Sequence, residues 1–227
     1  MQLKKHLTGL TLGGFTLLSL SMAGCSTSSP TSTSATSTAA SPASDVAQGA
    51  MPGMNHGAMD MSLGPKDEFF DLRFIDGMTP HHQGAVVMAE AALEKSKRPE
   101  IRQLAQAIIA AQTTEISQMN SWRTAWYPQA DDTPMMYSTE MGHMMPMSAD
   151  VRASMMMSGD LGAADEQFDL RFMDAMLPHH QGALVMAREA LENSDRPEIQ
   201  QLSTAILSSQ QAEIDQMTQW KKDWYGQ

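Results

Sequence analysis

From Phe70 onward the apolar positions of this chain recur at threes and fours. Phe70, Phe74, Met78, His81, Ala85, Met88 and Ala92 fall on one helical stripe. After a polar break near Ser96–Pro99, a second stripe runs through Ile101, Leu104, Ile108, Gln112, Glu115, Met119, Trp122 and Trp126. Pro99 suits a first helical turn. The pattern predicts a helix, a turn and an antiparallel helix. Pro80 lies inside the first stripe and is expected to kink that helix or start it afresh.

The same pattern returns. Residues 70–127 align without gaps to residues 168–225, at an offset of 98, with 36 identities in 58 positions. Two helices cannot bury a core alone, whereas four can. The expected fold is therefore all-α: a four-helix bundle of two repeated antiparallel helix pairs. Repeat one spans 65–127, a long Met-rich crossover spans 128–164, and repeat two spans 165–227.

The chain before the repeats has a different character. Lys4 and Lys5 followed by an apolar run from Leu7 to Leu20 read as a signal peptide over 1–24. Met22-Ala23-Gly24-Cys25 resembles a bacterial lipobox, so Cys25 is the expected lipidation site. Residues 25–64 form a Ser/Thr-rich tether, expected to be disordered, that ends in a Met/His-rich segment. The expectation is an exported lipoprotein of the cell envelope, anchored to a membrane and facing the periplasm or the exterior. Cys25 is the sole cysteine, which excludes internal disulfides and thiolate zinc sites. Without Lys4 and Lys5, 13 basic residues stand against 26 acidic ones, a charge of about −13 that excludes nucleic acid as a partner.

Methionine is the outlier, with 22 residues. Several stand in Gly-rich polar stretches with little core to fill: Met51, Met54, His56, Met59 and Met61 in the tether, and Met141, His143, Met144, Met145 and Met147 in the crossover. Each set is spaced to wrap one ion. Within a pair, residues equally far from the turn lie side by side. His81 and His82 then share a level with Gln112 and Glu115, and Met78 lies within a turn of Met119. In repeat two the same holds for His179, His180, Gln210, Glu213, Met176 and Met217. A buried carboxylate needs a partner or a cation. Imidazole together with thioether favours copper, as Cu(I), Cu(II) or both. Met88 and Met186 fit the core as well as a metal set. A polar layer closed by His–Glu hydrogen bonds is the plain structural alternative. Di-iron chemistry is disfavoured, because no Glu has a His three residues later. Trp122, Trp126, Trp220 and Trp224 read as packing, Tyr127 and Tyr225 as ends of the pairs, and Arg73 and Arg171 as partners of nearby acids.

Pro80-His81-His82-Gln83-Gly84-Ala85-x-x-Met88-Ala89, with Gln112-x-x-Glu115-Ile116-x-x-Met119 downstream, resembles a bacterial family catalogued as domain of unknown function 305. Both repeats carry the motif, from about residue 65 to the C-terminus. The resemblance implies a ferritin-like fold. It also implies a function, since some members, the CopM-type proteins, are periplasmic or secreted copper-binding proteins that lower copper toxicity. By resemblance, Met78, His81, His82, Met88, Glu115 and Met119, and their counterparts 98 residues later, are metal-site residues. The expected activity is thus binding: copper is sequestered or handed to another copper-handling protein. No catalytic pocket is evident. A metal-dependent oxidoreductase and a structural or interaction module are the rival expectations.

Overall fold

The computed structural model describes residues 62–227. The predicted signal peptide, Cys25, the tether and Met51, Met54, His56, Met59 and Met61 lie outside the described residues. Four long helices carry the fold: α1 (Phe70–Lys95), α2 (Pro99–Trp126), α4 (Phe168–Asn193) and α5 (Pro197–Tyr225). The periodicity placed both pairs and both turns correctly. Pro99 and Pro197 occupy the first helical turns, where a missing N–H costs nothing. Pro80 and Pro178 do not restart their helices, contrary to that half of the expectation. Each is spanned by one 26-residue helix.

The crossover is more ordered than a loop. It holds a two-stranded antiparallel hairpin, β1 (Met135–Ser138) and β2 (His143–Pro146), and a short helix, α3 (Ala149–Met156). Ser148 caps α3 by accepting the Val151 N–H. Asp76, buried in α1, anchors the crossover. It pairs with Arg123 at 2.6 Å and accepts the Met135 N–H at 2.8 Å. Burial raises the Asp76 pKa despite both bonds. Among the described residues, no helix is long and apolar enough to cross a membrane.

The core is divided in two. One apolar cluster joins Phe70, Phe74, Ile75, Met78 and Met119 of repeat one to Met186, Ala187, Ala190 and Ile199 of repeat two. The other joins Phe168, Phe172, Met176 and Met217 of repeat two to Met88, Ala89, Ala92 and Ile101 of repeat one. The N-terminal half of α1 thus meets the C-terminal half of α4, and the reverse. The two repeats are related by a pseudo-twofold axis that passes between α1 and α4. Their ends are locked reciprocally. Arg196 covers Trp126 at 4.2 Å and Arg98 covers Trp224 at 4.3 Å, each tryptophan being stacked on its helical neighbour.

The loops that enter α1 and α4 are held alike. Arg73 donates to the carbonyls of Leu63 and Pro65 and pairs with Asp67. Arg171 donates to Leu161 and Ala163 and pairs with Asp165. The acids expected beside both arginines are therefore present.

Candidate metal centre

Between the two apolar clusters lies a layer of polar side chains, set by the P-H-H-Q motif at the middle of α1 and α4. His81, His82, His179 and His180 are completely buried. The pseudo-twofold axis brings His81 against His179, with ring centroids 3.8 Å apart and planes tilted by 42°. Their neighbours His82 and His180 sit 6.4 Å and 6.2 Å away within their own helices. The sequence leaves open whether the two histidine levels stay separate or merge, and the structure brings them into one central layer.

Sequence reasoning put the histidines level with Glu and Gln of the next helix; the structure gives the second histidine of each motif the Glu as partner. His82 Nε2 lies 2.7 Å from a Glu115 oxygen, and His180 Nε2 lies 2.6 Å from a Glu213 oxygen. An ionised carboxylate only accepts, so Nε2–H donates in each pair. Nδ1 is left as the ligating atom when it carries no proton. This is the arrangement by which an outer carboxylate orients a metal-binding imidazole. His179 Nε2 donates to the His81 carbonyl at 2.8 Å, which again leaves Nδ1.

Among the described residues, many atoms of this layer have no hydrogen-bond partner: Nδ1 of His82, His179 and His180, both ring nitrogens of His81, and Oε1 of Gln112 and Gln210. Buried polar atoms are normally satisfied, and orphans of this density require an explanation. His–Glu bonding closes part of the layer and leaves five imidazole nitrogens bare. His81 and His179 are also held unprotonated. Burial, and then the neighbouring imidazoles, push His81 well below its ordinary 6.5 and lower His179 to about 3. The carbonyls of His179 and Met156, near these rings, offset only part of this. Unprotonated nitrogen is the form that binds metal.

Among the described residues, no three His, Cys, Asp or Glu side chains converge as a metal-holding group. The donors on offer are soft or borderline: imidazole pairs bordered on both sides by buried thioethers. Met78 and Met119 share one cluster, as expected, and are joined there by Met186 from the opposite repeat. Met176 and Met217 are joined by Met88. The sequence paired the methionines within each repeat and missed this exchange. The strict repeat was the available signal for an axis through the histidines.

The crossover set is not brought together in the way its spacing suggested. Met141 and His143 are exposed, Met144 and Met145 are half-buried neighbours on β2, and Met147 is buried in the core. Successive strand residues face opposite sides, so Met144 and Met145 diverge. A single ion wrapped by Met141 through Met147 is corrected to a hairpin that spreads them.

Residues 71–221 match the family described as Domain of unknown function (DUF305). The chain is similar to CopM in its Cu(II)-bound form, with 41% identity and a TM-score of 0.55 over 68% of this chain and 97% of that one. Its similarity to CopM in the Cu(I)-bound form is 39% identity and a TM-score of 0.53, over the same shares. An uncharacterized protein of Acanthamoeba polyphaga mimivirus is 43% identical over 51 residues, which span 22% of this chain and only 34% of that protein. With both halves of the bundle and both copies of the histidine motif inside the match, the chain belongs to the DUF305 family.

Proposed function

We propose that this protein binds copper, and that the histidine layer takes the ion as Cu(I). The observation that carries this is the set of five bare imidazole nitrogens in a fully buried layer. Low coordination number, neutral donors and nearby thioethers all favour a soft monovalent ion over a hard divalent one. Burying charge adds to the preference, because the cost of leaving water rises with the square of the charge. CopM is known in both Cu(II)- and Cu(I)-bound forms, which supports copper binding, while the choice of Cu(I) rests on the donor chemistry alone. Binding is favoured over turnover because the layer has no solvent-exposed histidine at which a substrate meets the metal.

The wider role follows from the sequence. An export-signal pattern and Cys25 at a lipobox-like motif support a reading in which the protein is lipid-anchored in the cell envelope, sequesters copper or passes it on, and so contributes to copper tolerance. The test is titration of apo-protein with Cu(I) against a competing chelator, in parent and in a His81→Ala/His179→Ala variant. The expected result is tight uptake by the parent and at least a 100-fold loss in the variant. Equal uptake by both proteins sinks the assignment, and a purely structural layer is then the better account.

A further inference from the structure

The crossover gathers a second concentration of sulfur, apart from the histidines. Its hairpin and α3 lie against the N-terminal half of α1 and enclose with it a cavity of about 300 Å³. The floor of the cavity is buried and includes Leu63, Gly77, Met147 and Met155. Half-buried Met136 and exposed Ser154 stand nearer its mouth. Separate elements supply these thioethers. Met136 comes from β1 and Met155 from α3. Met147 follows β2, and its N–H donates to the Pro134 carbonyl at 2.7 Å. A fourth sulfur approaches at Gly77. A Cβ there would lie 3.2 Å from the Met155 methyl and 3.7 Å from the Met186 sulfur of α4. Repeat two has Ala175 at this place. Glycine is unfavourable inside a helix, and here it lets α3 and α4 bring two methionines to one point beside the α1 backbone.

Methionine often serves as a gap-filler in cores. These methionines line a gap instead of closing it. The opposite apolar cluster differs, because Met88, Met173, Met176 and Met217 all lie on the helices of the repeats. The charges bonded to the cavity lining nearly balance. Arg73 borders the cavity, but its guanidinium is engaged by the Leu63 and Pro65 carbonyls and by Asp67. Asp76 accepts the Met135 N–H and pairs with Arg123, while Glu189 accepts the Leu63 N–H at 2.8 Å. Three carboxylates thus stand against two guanidinium groups, which suits one added positive charge better than two.

We infer that this cavity is a second soft-ion site, in which Met136, Met147 and Met155, with Met186 beside Gly77, take one monovalent cation of the Cu(I) or Ag(I) class. Thioether sulfur is a soft, neutral donor, so it selects such an ion over a hard divalent one. The site includes no imidazole, and its filling does not require that the histidine layer bind.

Full-length, metal-free protein carrying methyl-labelled methionine is titrated with Ag(I), a closed-shell ion suited to NMR, in the presence of excess free methionine. The free amino acid competes away ions held by a lone surface thioether such as Met141, whereas several sulfurs fixed at one place retain theirs. The methyl signals of Met136, Met147 and Met155 are expected to shift together and saturate. Met147→Leu/Met155→Leu nearly conserves volume and should bind about one Ag(I) fewer per chain by metal analysis, with the imidazole ring signals responding as in the parent. Met155→Leu alone serves if the pair prevents folding, and should weaken uptake at this site at least tenfold. Methyl signals of Met147 and Met155 that stay in place throughout the titration overturn the inference. So does a Leu variant that binds as much Ag(I) as the parent with equal affinity, since the methyl shifts then report only a repacked wall. Ring signals that fail to respond while the methyls shift count against the histidine layer alone.

Discussion

Acidifying the metal-free protein provides a direct measure of the histidine layer. His179 titrates at about 3 in the folded protein and near 6.5 when unfolded. The group is buried, so solvent does not screen the effect. A difference of about 3.5 pH units corresponds to about 5 kcal/mol at 1.36 kcal/mol per unit. The sign follows from proton counting. Above pH 6.5 neither state holds the proton and the group contributes nothing. Below it, the unfolded chain binds a proton that the native layer refuses, so stability falls by about 1.4 kcal/mol per pH unit until pH 3. His81 is lowered for the same reason and should double the slope to about 2.7 kcal/mol per unit. Asp76 acts oppositely, because its raised pKa makes the native state the better proton acceptor. Most carboxylates stay ionised above pH 5, so the window to use is pH 6.5 to 5. Urea unfolding across that window, with a constant slope against denaturant, gives the free energy at each pH. His179→Gln should remove about one proton from the linkage and flatten the dependence by about half. A parent whose stability is flat from pH 6.5 to 5, or a variant as steep as the parent, refutes the assignment of neutral buried imidazoles.

Two further outcomes follow from the same contacts. Glu115→Gln replaces the carboxylate that fixes the His82 ring by a neutral amide, a weaker acceptor, and should weaken Cu(I) binding about 10- to 100-fold in a chelator competition while leaving the melting temperature nearly unchanged. Arg73→Met strips the buried guanidinium from the Leu63 and Pro65 carbonyls and from Asp67. It should cost about 3–5 kcal/mol in urea unfolding, against clearly less for Arg171→Met, whose side chain is 35% exposed where that of Arg73 is 1% exposed.

The helices were legible because their cause is local. Apolar residues at threes and fours specify α1, α2, α4 and α5, and Pro99 and Pro197 mark where the second helix of each pair begins. The His82–Glu115 and His180–Glu213 contacts were legible for a related reason: an antiparallel pair about a known turn has only one register. The crossover was not legible. Its hairpin has Gly142 at a positive φ and short strands whose alternation is hidden by methionines on both faces, and its position is fixed by Asp76, 59 residues before Met135. Met186 joining Met78, and Met88 joining Met176, depend on how the pairs meet, which no helical period encodes.

The meeting of the pairs also decides what the histidines can do. Within one repeat, His81 and His82 point to different neighbours, since consecutive helical residues are turned by about 100°. His82 finds Glu115, while His81 finds nothing in its own pair and keeps both nitrogens bare. Only the second repeat, presenting His179 at 3.8 Å, gives His81 a companion donor. The doubled pair buries both rings, holds His81 and His179 neutral, and places imidazoles from both repeats at the axis between two thioether-bearing clusters. The duplication therefore does more than supply enough apolar surface for a core. It joins two half-sites into one buried layer in which imidazoles of both repeats face each other.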